Sequence, residues 1–252
     1  MDSVRVSDVH RSRREKSARL APAVQIARPF YSVDAISRPL TEFSGDFYFY
    51  TEVRGDLWFA LGDFAGHGLR AAIYSSMMQE EIGRAIEACE FADPAEVVAS
   101  IHNTVRPEFP INRFASLVVG RMRPDGSLQL SNAGHCKPIL RRADGTIETV
   151  DSHGPVVGLI SSPGWKQSEM ILGGDDLLLL HSDGLIEATN SRDEEVSAER
   201  IVEWVRQSSG VQLRRELLTQ FDAFTSGQQT DDVTVMVIAA NPGVARFMRA
   251  AS

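Results

Sequence analysis

Four aspartates stand where predicted strands end against glycine or turn residues. They are Asp46 in Ser44-Gly45-Asp46, Asp63 in Gly62-Asp63-Phe64-Ala65-Gly66-His67-Gly68, Asp183 in Ser182-Asp183-Gly184, and Asp231, which Asp232 follows. Strand ends open onto a shared edge, so carboxylates there can converge. Two unit charges about 4 Å apart repel by roughly 4 kcal/mol at an effective dielectric of 20, so convergence calls for counter-charge. All-oxygen ligand sets that keep some water suit Mg2+ or Mn2+. Two such cations can hold a phosphate, position a water and lower its pKa. A single Asp-Gly is ordinarily a turn or cap residue; four aspartates in this arrangement point to cation chemistry.

The elements that must position them are legible from periodicity. Phe47 to Val53 and Leu57 to Leu61 read as a hairpin turning at Arg54-Gly55-Asp56, with Asp46 and Asp63 at its open end. From Leu69, the apolar residues Leu69, Ile73, Met77, Ile82, Ile86 and Cys89 recur at helical spacing. A second helix is expected from Asp93-Pro94, where Asp caps and Pro suits the first turn, to about Arg106. Phe114 to Met122, Ser127 to Asn132, Pro138 to Arg142 and Thr146 to Val150 read as an antiparallel meander punctuated by Asp-Gly turns. Ser152 to Gln167 is expected to be a surface loop that selects substrate. Leu177 to His181 reads as a buried strand, Ser197 to Phe224 as two helices broken near Ser208-Ser209-Gly210, and Val233 to Ala240 as a last strand. Runs of strands with two inserted helix pairs predict an α+β domain.

The chain has 252 residues, 43% hydrophobic and 24% charged, enough for one sizeable core. Its net charge of −8 argues against a nonspecific nucleic-acid binder. No apolar run approaches the roughly 20 residues of a membrane span, and no secretory signal pattern is present, so a cytoplasmic protein with no membrane partner is expected. Residues 1–28, rich in Arg and Lys between Arg5 and Arg19, read as a mobile basic arm, 29–241 as the folded domain and 242–252 as a tail. Cys89 and Cys136 read as reduced, buried thiols. His135 and His181 read as structural, and His67 as a residue shaping the turn into the first helix.

Ser44-Gly45-Asp46-Phe47-Tyr48, Gly62-Asp63-Phe64-Ala65-Gly66-His67-Gly68, Asn132-Ala133-Gly134-His135, Gly174-Asp175-Asp176 leading to His181-Ser182-Asp183-Gly184, and Thr230-Asp231-Asp232-Val233-Thr234 together resemble the PPM (PP2C-type) phosphatases, in their bacterial SpoIIE/RsbU branch. The resemblance implies a four-layer α-β-β-α sandwich of two antiparallel sheets flanked by helix pairs. It implies two divalent cations, Mn2+ or Mg2+, with Asp63 bridging, Phe64 lending its backbone carbonyl, and Asp46, Asp183 and Asp231 completing the ligands. Asp232 ranks below Asp231. The implied activity is metal-dependent hydrolysis of phosphoserine or phosphothreonine by a water between the cations. The implied substrate is a STAS-domain anti-sigma-factor antagonist in a partner-switching pathway, with an activating regulator and a homodimer both left open. A catalytically dead binding module and a small-phosphoester hydrolase are the alternatives. The phosphate-gripping Arg of eukaryotic members has no counterpart in place: Thr41 stands near its position and Arg38 is offset. The helix pair Leu69 to Arg106, tied directly to Gly62-Asp63, is the expected moving part.

Overall fold

A computed structural model describes residues 23–88, 93–161, 163–210 and 212–241. Most of the basic arm, the tail and Cys89 lie outside these residues. Strands β1 (Val24–Ala27), β2 (Tyr31–Arg38), β7 (Ile139–Arg141), β8 (Ile147–Thr149), β10 (Leu177–His181) and β11 (Val233–Ala240) form one sheet in the order β1-β2-β11-β10-β7-β8. Strands β3 (Asp46–Val53), β4 (Asp56–Phe64), β5 (Ala115–Met122), β6 (Ser127–Ala133) and β9 (Ser168–Ile171) form the second, in the order β3-β4-β5-β6-β9. Every pairing between these strands is antiparallel. Helices α1 (Leu69–Ala88) and α2 (Pro94–Val105) cover the second sheet; α3 (Ala198–Gln207) and α4 (Leu213–Thr225) cover the first. The architecture is the expected α-β-β-α sandwich.

Alternation along the strands builds three apolar layers. In β4, Leu57, Phe59 and Leu61 face the opposite sheet, while Trp58 and Ala60 face α1 and α2. In β10, Leu178 and Leu180 point between the sheets, and Leu177 and Leu179 point at α3 and α4. A strand covered on both sides has no solvent face, which is why Leu177–Leu180 reads as an unbroken apolar run. Asp93 caps α2 as expected: its side chain accepts from Glu96 N at 2.9 Å, and Glu96 reaches back to Asp93 N.

Three expectations need correction. The segment Phe114 to Val150 is not one meander, because β5 and β6 belong to one sheet and β7 and β8 to the other. The crossing is made at Asn132-Ala133-Gly134-His135: the Asn132 side chain accepts from His135 N at 2.8 Å and donates to His135 O at 3.1 Å, and Gly134 adopts a φ of 69°. Secondly, β1 falls inside the stretch assigned to the arm, since Val24–Ala27 pair with Ser32–Ala35. Thirdly, Leu69 and Ile73 do not face the core. Each is 56% exposed, and α1 buries Ala71, Ser75, Met78, Ile82, Ala85 and Ile86 instead. Small residues at 71 and 75 let the first turns of α1 approach β3 closely. Among the described residues, no helix is long and apolar enough to cross a membrane.

The sandwich interior is filled without slack. Gly120 pairs with Phe59 across β4 and β5, and a Cβ at Gly120 would lie 2.1 Å from the Phe59 ring and 2.7 Å from Leu130. Gly120→Ala is therefore expected to lower stability by about 1–3 kcal/mol through overpacking, measured by urea denaturation. An unchanged midpoint would show that the ring has room to move.

Candidate functional site

Asp46 opens β3 and sits directly opposite Asp63 near the end of β4. On the other sheet, β10 ends at His181 opposite Val235, so Ser182-Asp183-Gly184 and Asp231-Asp232 are adjacent loops at one edge. Their closeness is enforced by a glycine: a Cβ at Gly184 would lie 2.1 Å from Asp232 O and 3.2 Å from Asp231 Cβ. Asp46 joins the two sheets, with its carboxylate near the Ser182 and Thr234 hydroxyls of the opposite sheet. The four aspartates singled out from sequence are thus gathered at one end of the sandwich, two from each sheet.

Their electrostatics record the crowding. Burial, reinforced by Asp183, Asp231 and Asp232, pushes the Asp63 carboxyl up to about 7. Burial and then Asp63 hold Asp46 well above the ordinary range, and burial and then Asp231 raise Asp183. Asp46 Oδ2 is buried without a hydrogen-bond partner. Around Gly45, Asp63 Oδ1, Phe64 O and Gly66 O surround a space that a Cβ would fill at 2.8, 3.1 and 3.1 Å. Among the described residues no three His, Cys, Asp or Glu side chains close to the distance needed to grip one cation. The unpartnered oxygen, the raised carboxyls and the all-oxygen donor set fit divalent cations of the Mg2+ or Mn2+ kind.

Asp231 and Asp232 divide their work. Asp232 is buried and its two oxygens accept from Leu40 N at 2.7 Å and Gly45 N at 2.8 Å, clamping the loop that delivers Asp46. The Asp231 carboxylate accepts from Asp232 N at 2.7 Å, and the residue is exposed beside the cluster. The Ser75 hydroxyl of α1 donates to Gly45 O, and Gln79 donates to Tyr48 O at 2.9 Å, so α1 grips the same loop. Beside that contact a cleft of about 400 Å3 is lined by Phe43, Ser44, Asp46, Leu69, Ile73 and Gln79.

The other residues singled out are placed as follows. His135 is buried with Nδ1 2.6 Å from Ser116 Oγ, and burial pulls its pKa down to about 3. His181 is buried, with Nδ1 3.0 Å from Ser182 O. His67 is exposed on the turn between Gly66 and Gly68. Arg38 is ion-paired with Asp222 at 2.7 Å, and Thr41 closes a local turn with Phe43. Cys136 is a free thiol, half-buried rather than buried, and burial together with Asp183, Glu187 and Asp46 pushes it up to about 12. Although Cys136 and Arg142 stand six apart, β7 runs between them and Arg142 is paired with Glu148 and Asp176, so they form no anion-binding loop. Sequence reasoning missed Glu187, whose carboxyl is raised by burial and by Asp183 and Asp231. It also missed Ser182 and Thr234. The signal for these three was their position within a few residues of Asp183 and Asp231.

A pH dependence follows for the metal-free protein. An unfolded Asp titrates near 4 and folded Asp63 near 7, so between those values the folded state holds the extra proton. Stability contributed by this proton is present below about pH 4 and lost as pH rises through about 7, to an extent of about 4 kcal/mol at most. Denaturation in EDTA should therefore show a less stable protein at pH 8 than at pH 5, and Asp63→Asn should raise stability at pH 8 and flatten the difference. Equal wild-type stability at both pH values would contradict the buried-carboxylate picture.

Comparison with known proteins accords with this geometry. The chain is 23% identical over 211 residues to the phosphoserine phosphatase RsbU of Bacillus subtilis (strain 168), covering 82% of this chain and 62% of that protein. It thus spans less than two thirds of that relative's length. The RsbU and RsbW domains of Rv1364c from Mycobacterium tuberculosis superpose with a TM-score of 0.74 at 23% identity, over 90% of this chain and 64% of that one. The PP2C phosphatase domain of SpoIIE from Bacillus subtilis, solved with a fragment of its regulatory domain, gives 0.74 at 20% identity, over 86% and 64%. These structures share the fold. The family model for stage II sporulation protein E (SpoIIE) matches residues 54–241, and the chain belongs to that family, the RsbU/SpoIIE branch of the PP2C-type phosphatases.

Proposed function

We propose that this chain is a metal-dependent phosphoserine/phosphothreonine protein phosphatase acting on a STAS-domain anti-sigma-factor antagonist in a bacterial partner-switching pathway. The observation that carries the reading is the gathering of Asp46, Asp63, Asp183 and Asp231 from two sheets at one edge, with carboxyls raised by burial and by each other. Asp63 is the central ligand in this reading, Phe64 contributes its carbonyl, and Asp46, Asp183 and Asp231 complete the set. Two divalent cations bound there would supply charge neutralisation, a binding place for the phosphoryl oxygens and a water of lowered pKa. The chain's own part is positional. Asp232 and Ser75 fix the loop before Asp46, while Gly184 allows Asp183 and Asp231 to approach. Cys136, whose thiol is pushed up to about 12 by burial and the nearby carboxylates, is not the nucleophile in this reading.

The substrate reading is supported by the likeness to RsbU, a phosphoserine phosphatase, and to a protein that carries RsbU and RsbW domains. The segment 152–167 stays the candidate for substrate choice. Val157 pairs with Ala115 beside Phe64, and Leu159 and Ile160 are each 47% exposed. The contacts of Ser75 and Gln79 support α1 as the element through which an activating partner could tighten or release the Asp46 loop. Hydrogen exchange in Leu69–Ala88 should slow when such a partner is added, and unchanged exchange during activation would remove α1 from the mechanism.

The activity test is phosphate release from phosphoserine peptides and p-nitrophenyl phosphate with Mn2+, Mg2+ or EDTA. Release should need metal, and Asp63→Asn should lower it by about 100-fold or more, as expected for loss of several kcal/mol of transition-state charge stabilisation. Metal-independent release, or an Asp63→Asn variant as active as wild type, would overturn the assignment.

A further inference from the structure

Cations held at this edge would bind phosphoryl oxygens from one side, and a cationic side chain at its rim would give the phosphate a second hold. Arg38 is spent on Asp222. Arg113 is not spent. Its Nη1 donates to Ala65 O at 3.0 Å, two residues from Asp63, and lies over Gly66, where an added Cβ would be 3.2 Å away. Among the described residues the guanidinium makes no ion pair, and the side chain is exposed. The Arg113 backbone is anchored on both sides: its N–H donates to Pro110 O at 3.0 Å and Phe114 O accepts from Ala65 N at 2.9 Å, while a Cβ added at Gly158 would lie 3.5 Å from Arg113 O. Arg113 therefore stands between the Asp63 loop and the 152–167 segment, an exposed residue with one of its five donors on Ala65 O.

We propose that Arg113 binds the phosphate of the phosphoprotein substrate at the rim of the carboxylate cluster. A planar guanidinium suits two phosphate oxygens at once, which an ammonium cannot match. A loop 65–68 that keeps glycine at 66 leaves the space in which that guanidinium lies. The assignment rests on the phosphatase reading and supplies the cation that Arg38 cannot.

The test uses the full chain loaded with Mn2+ and two readouts. In kinetics with a phosphoserine peptide, Arg113→Ala should raise KM about 10-fold with kcat changed less than about 3-fold, Arg113→Lys should recover part of the loss, and Arg84→Ala, a charge-matched change on α1, should behave as wild type. In calorimetry with inorganic phosphate, Arg113→Ala should weaken phosphate binding by a similar factor and leave Mn2+ affinity unchanged. A purely structural role through Ala65 would lower kcat and Mn2+ affinity while sparing phosphate binding, and that result overturns the proposal. So does phosphate binding within about 2-fold of wild type, or a wild-type protein that binds no phosphate. A wild type that binds phosphate but releases none from any substrate would instead refute the phosphatase reading, and the calorimetric comparison would still decide Arg113.

Discussion

Negative charges brought together in a buried place push apart, and this structure is organised around holding them there. Each of Asp46, Asp63 and Asp183 is raised from its ordinary titration by burial first and by a neighbouring aspartate second. Left to itself such a cluster would relax by splaying its loops. The backbone opposes this: Asp63 lies within a strand paired on both sides, Asp46 is locked opposite it, and Asp183 begins a tight turn against β11.

The scaffold resists because each sheet is covered on both faces. A strand with apolar contacts above and below cannot tilt to relieve strain at its end without opening a packed layer, and such layers tolerate little volume change. The two sheets carry different halves of the cluster, so the core between them, with Phe59, Leu61, Leu178, Leu180 and Met236, also sets the distance between the halves. Asp232 shows how polar groups extend this control: its carboxylate is consumed by two backbone amides of the loop before Asp46. It thereby serves the architecture, and its neighbour Asp231 is left facing the cluster.

The edge is also where the domain offers contact surface. Leu69 and Ile73 on α1 and Phe43 on the Asp46 loop line one side, while Leu159 and Ile160 stand exposed on a segment anchored beside Phe64. Under the proposed reading, these apolar side chains flanking an acidic cluster would meet the protein surface around the phosphorylated residue.

The sequence by itself determined the hairpin that carries Asp46 and Asp63, the capped second helix and the doubly covered strands, because each of these is written in local spacing and turn chemistry; the four aspartates were assembled as one ligand set by the resemblance of their motifs. Tertiary structure alone decided the remainder. The crossing at Asn132–His135 that splits the apparent meander between two sheets depends on which sheet has an edge free to accept β7, and no local pattern encodes that. Leu69 and Ile73 carry helical periodicity yet face outward, because the small Ala71 and Ser75 let α1 approach the Asp46 loop. Likewise, the resemblance ranks Asp231 above Asp232, and the physical reason is tertiary: two amides reach Asp232 across nearly two hundred residues and make it the anchor of the Asp46 loop.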